Sequence, residues 1–142
     1  MTTLEERAYE RLEELRGRLD LLGSDRERAT FEVARHLEWM AESGIVDELS
    51  AREIRVQARE TYRSCDRSDP AVLLGEGRSL LGAGDADRAA VVLEEACEAI
   101  GTDPRARILL HEAVALLLRA KAARRDFSAI PSFAADALRR LR

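Results

Sequence analysis

Two Asp-Pro dipeptides, Asp69-Pro70 and Asp103-Pro104, stand 34 residues apart, and each opens an apolar run. Asp is a strong helix N-cap, and Pro suits the first turn because the amide it lacks would have no intrahelical partner there. The interval from Pro70 to Ile100 reads as a helix, a Gly84-Asp85 turn and a second helix. A helix pair with one apolar face cannot bury it alone, so neighbouring pairs must stack. The spacing therefore predicts an all-α chain of stacked antiparallel helix pairs, an α-solenoid. Architectures of this kind present surfaces more often than catalytic centres.

The rest of the chain extends the pattern. Thr3-Leu-Glu-Glu6, Ser24-Asp-Arg-Glu27 and Ser50-Ala-Arg-Glu53 all fit the capping box. In that motif the hydroxyl accepts an early helix N–H while the Glu reaches back to the cap N–H. They predict helix starts near residues 4, 25 and 51. Asp69, Asp85, Asp103-Pro104 and Pro131 open four more, giving seven helices. Gly23, Gly44 and Gly84 stand where helix ends are needed. The 142 residues suit a single helical domain: a capping helix over 1–23, then helix pairs over 24–69, 70–103 and 104–142. Asn is absent, and all three prolines sit at expected helix starts, as an all-α fold requires.

The apolar faces repeat with the pairs. Ala8, Leu12, Leu15, Leu19 and Leu22 form a seam on the first helix. Its expected use is packing within its own domain; a homodimer seam is the alternative. Val33, Leu37 and Met40, then Leu73, Gly77 and Leu80, then Leu109, Ala113 and Leu116 share a 4-3 spacing. The alternate helices answer with Ala58, Tyr62 and Cys65, with Ala89, Leu93 and Ala96, and with Ala134, Leu138 and Leu141. Small residues in these sets let paired helices approach closely.

On these residues the segment from Pro70 to Ile100 resembles one tetratricopeptide repeat, a family whose period is 34 residues. Gly77 matches the small residue of its first helix, Ala89 and Ala96 those of its second, and Gly84-Asp85 the turn. Leu73, Leu80 and Leu93 stand where the family prefers large side chains. The flanking pairs match only in their apolar spacing, because their connectors at Glu42–Leu49 and Arg124–Ile130 are longer. The resemblance implies a protein-binding scaffold with an inner groove lined by the first helix of each pair. Mapped by helix phase, that groove would show Leu74 and Arg78, preceded by Phe31, Arg35 and Glu38 and followed by Arg107 and His111. Clamps for a peptide C-terminus in this family use Asn, which is absent here, so that variant is not expected. Trp39, one position off the Val33–Met40 stripe, is expected to seal the joint with the first helix; the alternative is an exposed anchor.

Motifs that carry chemistry are missing. His36 and His111 are the only histidines, and neither belongs to a HExxH or ExxH pattern. Gly75, Gly77, Gly82 and Gly84 lack the Gly-Lys-Ser/Thr of a phosphate loop. Cys65 and Cys97 form no CxxC, and both fall on apolar faces, as reduced buried thiols would. Leu49–Val56 resembles the opening of a LuxR-type helix-turn-helix, but the helix continues toward Asp66 without the turn a recognition helix needs. No catalytic residues, cofactor or metal are expected.

Charge is uneven. Residues 105–142 hold nine Lys/Arg against three Asp/Glu, whereas residues 1–104 hold 14 against 24. Arg119, Lys121, Arg124, Arg125, Arg139, Arg140 and Arg142 form the basic surface. Cations near helix C-termini complement the helix dipole, and a basic end can also face an acidic one. The sharper alternative is a nucleic-acid contact, making the chain a helical accessory subunit of a nucleic-acid complex. A net charge of −4 and few aromatics weigh against it. No signal peptide or ~20-residue apolar run is present, so a cytoplasmic protein without membrane contact is expected. The reading is a non-catalytic interaction module that binds a protein segment or assembles with itself.

Overall fold

The computed structural model describes residues 3–20, 23–101, 104–124 and 139. Among them six α-helices and no strand occur: α1 (Leu4–Gly17), α2 (Ser24–Glu42), α3 (Glu48–Arg63), α4 (Pro70–Gly82), α5 (Ala86–Gly101) and α6 (Leu110–Ala123). Short 3₁₀ stretches follow α1 (Arg18–Asp20) and precede α6 (Pro104–Leu109). The seventh helix, with Pro131, Ala134, Leu138 and Leu141, was expected on residues outside those described, as was the contribution of Leu22. No helix among the described residues is long and apolar enough to cross a membrane.

Helix starts follow local hydrogen bonding. Thr3 Oγ1 accepts from the Glu6 amide at 3.1 Å, and Glu6 Oε2 accepts from the Thr3 amide at 3.2 Å, completing the expected box. The other two boxes are displaced. α2 starts at Ser24, with Gly23 in the cap position at φ 65°, and the first backbone bond runs from the Glu27 amide to the Gly23 carbonyl. A left-handed φ suits glycine there. α3 starts at Glu48, three residues before the expected start at 51. The Asp47 carboxylate accepts the Ser50 amide at 2.8 Å and the Ser50 hydroxyl at 3.1 Å. A carboxylate in reach of the same amides takes the cap and turns Ser50 from cap into donor. These bonds to Ser50 hold the Asp47 carboxyl below its ordinary value.

The chain forms two compact units, Met1–Asp66 and Arg67–Arg142. In the first, α1 and α3 both pack on α2. Ala8, Leu12 and Leu15 meet Val33, Leu37 and Met40, and Ile54 and Ala58 close the core. Tyr62 is fully buried, as its apolar-face position requires. In the second unit α4 and α5 form a hairpin, and α6 packs on α5 with a lighter contact to α4.

The α4–α5 hairpin is fixed at both ends and at its crossing. Asp69 Oδ1 caps α4 at the Ala71 amide at 2.9 Å, with Pro70 in the first turn. At the far end the Asp85 amide bonds the Leu80 carbonyl at 2.9 Å and the Gly84 amide the Leu81 carbonyl at 3.0 Å. This is the Schellman arrangement, and it needs the left-handed residue that Gly84 supplies at φ 83°. Asp85 then caps α5 at the Arg88 amide. Midway, a Cβ on Gly77 would stand 2.5 Å from Leu93 Cδ2. The missing side chain is what lets the two helices cross so closely.

The third pair departs from expectation at its start. Pro104–Leu109 winds as 3₁₀ helix, and the α-helix begins only at Leu110. Tight 3₁₀ turns are common at helix N-termini. Ala113 and Leu116 are buried as expected, and Leu109 packs at the core's edge.

Candidate functional site

Each unit carries part of the expected groove. On α2, Phe31, Arg35 and Glu38 recur at intervals of four and three, which places them on one face. They are joined through a residue of α3. The Arg35 guanidinium lies over the Phe31 ring at 5.8 Å, and Phe31 meets the Tyr62 ring edge-on at 6.0 Å. The Tyr62 hydroxyl donates to Glu38 Oε1 at 2.6 Å. The result is a ledge with an exposed cation, a half-buried aromatic ring and a half-buried carboxylate. Its anchor, Tyr62, was legible in the sequence only as a core residue. A Tyr on the packing face of the adjoining helix has a hydroxyl to satisfy, and that was the available signal.

On the second unit the expected residues separate. Leu74 is 1 % exposed and belongs to the core, so it offers no surface. The reason is that α4 is buried on every side from Val72 to Gly77, whereas a single-stripe reading leaves one side open. Arg78 is paired with Glu112 of α6, a residue outside the expected set. Arg107 and His111 are exposed, on the 3₁₀ stretch and the first turn of α6.

The basic surface is partly neutralised. Lys121 is buried at 9 % exposure with its ammonium 3.4 Å from Glu94, and Arg124 donates to Asp87 at 2.8 Å. Both carboxylates lie on α5. These two cations therefore face an acidic helix of their own unit. Arg119 and Arg139 are exposed; Arg125, Arg140 and Arg142 lie outside the described residues.

One charged group was not anticipated. Glu76 is 4 % exposed on α4, and Arg67 Nη1 donates to it at 2.6 Å while Nη2 approaches Glu95 at 3.6 Å. Its hydrogen bond to Glu76 raises the Arg67 pKa. A buried carboxylate needs such a partner. The pair pins the start of the second unit onto α4.

Both histidines and the tryptophan have plain positions. The His36 imidazole Nε2 donates to the Ala8 carbonyl at 2.8 Å, tying α2 to α1. Trp39 does not seal that joint: it is 49 % exposed, its ring 5.4 Å from His36. At 100° per residue, His36 lies roughly 70° from the centre of the Val33–Met40 stripe and Trp39 roughly 130°. The shorter arc gives the joint to His36. Cys65 and Cys97 are buried free thiols. Among the described residues no three His, Cys, Asp or Glu side chains gather as a metal site would require. Comparison of the chain with models of protein families, with curated proteins and with solved structures gives no match.

Proposed function

We propose that this chain is a non-catalytic interaction module, a degenerate tetratricopeptide-like array that binds a segment of another protein or assembles with itself. The observation that carries the reading is the Arg78–Glu112 pair. These residues stand 34 positions apart in sequence and meet between α4 and α6. Stacked copies of one helix-pair motif put equivalent first-helix positions side by side in this way. The Gly77–Leu93 crossing and the Gly84-Asp85 turn give further support to a repeat at α4–α5.

The ledge on α2 has the chemistry to hold an extended or helical segment with acidic and apolar side chains. Arg35 supplies the cation, Phe31 the apolar plane and Glu38 a carboxylate. The nucleic-acid alternative is weakened by the pairing of Lys121 and Arg124 with α5 carboxylates. Exposed Arg119 keeps it testable.

The test uses the tagged full chain, captured from its native host with and without nuclease. A protein that survives nuclease is then titrated against the purified chain and against Arg35→Glu. This side chain is exposed, so its reversal should leave helicity unchanged. The expected result is a loss of affinity of about tenfold or more, as like charges meet at the ledge. Unchanged affinity would remove the ledge from the reading. Partners that vanish with nuclease would favour the basic-surface alternative. Arg78 is a poorer choice for reversal, because the change also strands Glu112.

A further inference from the structure

The α3 helix has a second flank that the rest of the chain covers only in part. Leu49, Arg52, Val56, Arg59 and Arg63 follow one another at intervals of three, four, three and four, a single stripe along about 21 Å of helix. Leu49 is 71 % exposed and Val56 41 %. Arg52 is exposed and touches Glu48 only at 4.0 Å, whereas Arg59 is half-buried with its Nε inside the protein. Residues 1–66 carry 11 basic side chains against 16 acidic ones, so three arginines on one stripe of an acidic unit are a local inversion of charge.

The complementary surface is on the same unit. The outward face of α1 carries Glu6, Glu10 and Glu13 at intervals of four and three, opposite its buried Ala8–Leu12–Leu15 stripe. Tyr9, 39 % exposed, lies beside them, and these residues line one shallow open depression. Carboxylates around an exposed ring match guanidiniums around an exposed Leu and Val, although Glu13 also pairs with Arg16 at 3.2 Å and Glu6 also accepts the Thr3 amide. The two stripes have the same helical spacing.

We infer that the α3 stripe docks the outward face of α1 from a second copy of this chain. This rests on the reading of the chain as an interaction module and names its partner. Nucleic acid and anionic membranes fit the stripe less well, because the surrounding unit has a net charge of −5 that would repel them. The apolar residues give the contact its area, and the charges fix its register and exclude α3-to-α3 and α1-to-α1 pairing.

The experiment measures the mass of the full chain in solution by sedimentation across a concentration series, at low and high salt. Three samples are compared: the unmodified chain, Arg52→Glu/Arg63→Glu and Glu10→Arg/Glu13→Arg, each checked for helicity by circular dichroism. The unmodified chain should associate, less so at high salt. Each variant alone should be monomeric, with its association constant lowered about tenfold or more. An equimolar mixture of the two should associate again, because each then offers the charge the other lacks. A monomeric unmodified chain, or association indifferent to either reversal, overturns the inference. Should a variant unfold, the salt dependence of the unmodified chain still decides: association that does not weaken with salt also overturns it. A chain that stays monomeric yet binds a foreign protein at the α2 ledge would defeat this inference while leaving the interaction-module reading intact.

Discussion

Replacing Gly77 with Ala is expected to destabilise the protein, although the same change in an exposed helix would stabilise it. Ala is favoured over Gly in a helix interior by about 1 kcal/mol. Against that gain stands the crossing of α4 and α5. The new Cβ would meet Leu93 Cδ2 at 2.5 Å and Cγ at 2.7 Å, both well inside van der Waals contact. Leu93 is 0 % exposed, so its side chain has no open space to swing into. Overpacking of a closed core costs about 1–3 kcal/mol. The balance is a net loss of about 1 kcal/mol, at most about 2, and Gly77→Val should cost more. Urea unfolding followed by circular dichroism at constant m-value gives the number. Gly17 serves as control, because nothing lies within 4 Å of a Cβ placed there. Gly17→Ala should be neutral or stabilising by a few tenths of a kcal/mol, since it is the last residue of its helix. A second check uses Leu93→Ala. Alone it should cost about 2–5 kcal/mol, but combined with Gly77→Ala the total should fall below the sum, because each change fills or empties the same space. If Gly77→Ala raised stability as much as a surface substitution does, the close crossing would be refuted, and with it one of the supports for a repeat at α4–α5.

Two further outcomes are expected. Arg67→Ala leaves the 4 %-exposed Glu76 without its 2.6 Å partner and should cost about 2–3 kcal/mol, read from the urea midpoint; the low end applies because Arg67 is itself 42 % exposed. A loss within error would mean that water or the other contacts of Glu76 satisfy its charge. Asp47→Ala should lower the thermal midpoint more than Ser50→Ala, because the carboxylate, not the hydroxyl, caps α3. Its folded pKa is depressed, so its contribution is present above the ordinary carboxylate pKa and is lost as pH falls through the lower folded value. The difference between wild type and Asp47→Ala should therefore shrink on acidification; a difference that grew would contradict the cap.

Local signals suffice where one residue has one task. Thr3, Asp69 and Asp85 cap as their positions imply, and Gly44 and Gly84 take positive φ just past helix ends, whereas Gly23, expected at the end of α1, stands at the N-cap of α2. The apolar stripes of α2, α3 and α5 are buried as spaced. The misses share a cause, which is competition or distance that a local pattern does not contain. Asp47 and Ser50 are both acceptable caps for α3, and only the start of the turn decides between them. Pro104 announces a helix but not whether its first turn is 3₁₀ or α. Arg67 reaches Glu76 from outside the helix, so no i,i+4 rule finds the pair. Leu74 followed from reading α4 as one-faced, yet Pro70–Gly82 bears apolar or small residues on every side, and that alone argues for burial all round.

The charge profile gives the sharpest lesson about function. Summed along the chain, residues 105–142 look like a cationic surface awaiting an anion. In space Lys121 and Arg124 belong to α5, which presents Glu94 and Asp87 to them from 27 and 37 positions away. The stripe on α3 is the reverse case. It sits in the acidic part of the sequence, where a linear sum hides it, and only helix phase brings Leu49, Arg52, Val56, Arg59 and Arg63 into one line. An exposed Leu and Val have no use for solvent, and Arg52 beside them has only a 4.0 Å contact to Glu48. Both are better served by the arrival of an acidic helix with an aromatic ring. The α1 face of another copy supplies that helix at a concentration equal to the chain's own, which is why self-association is the first interaction to measure.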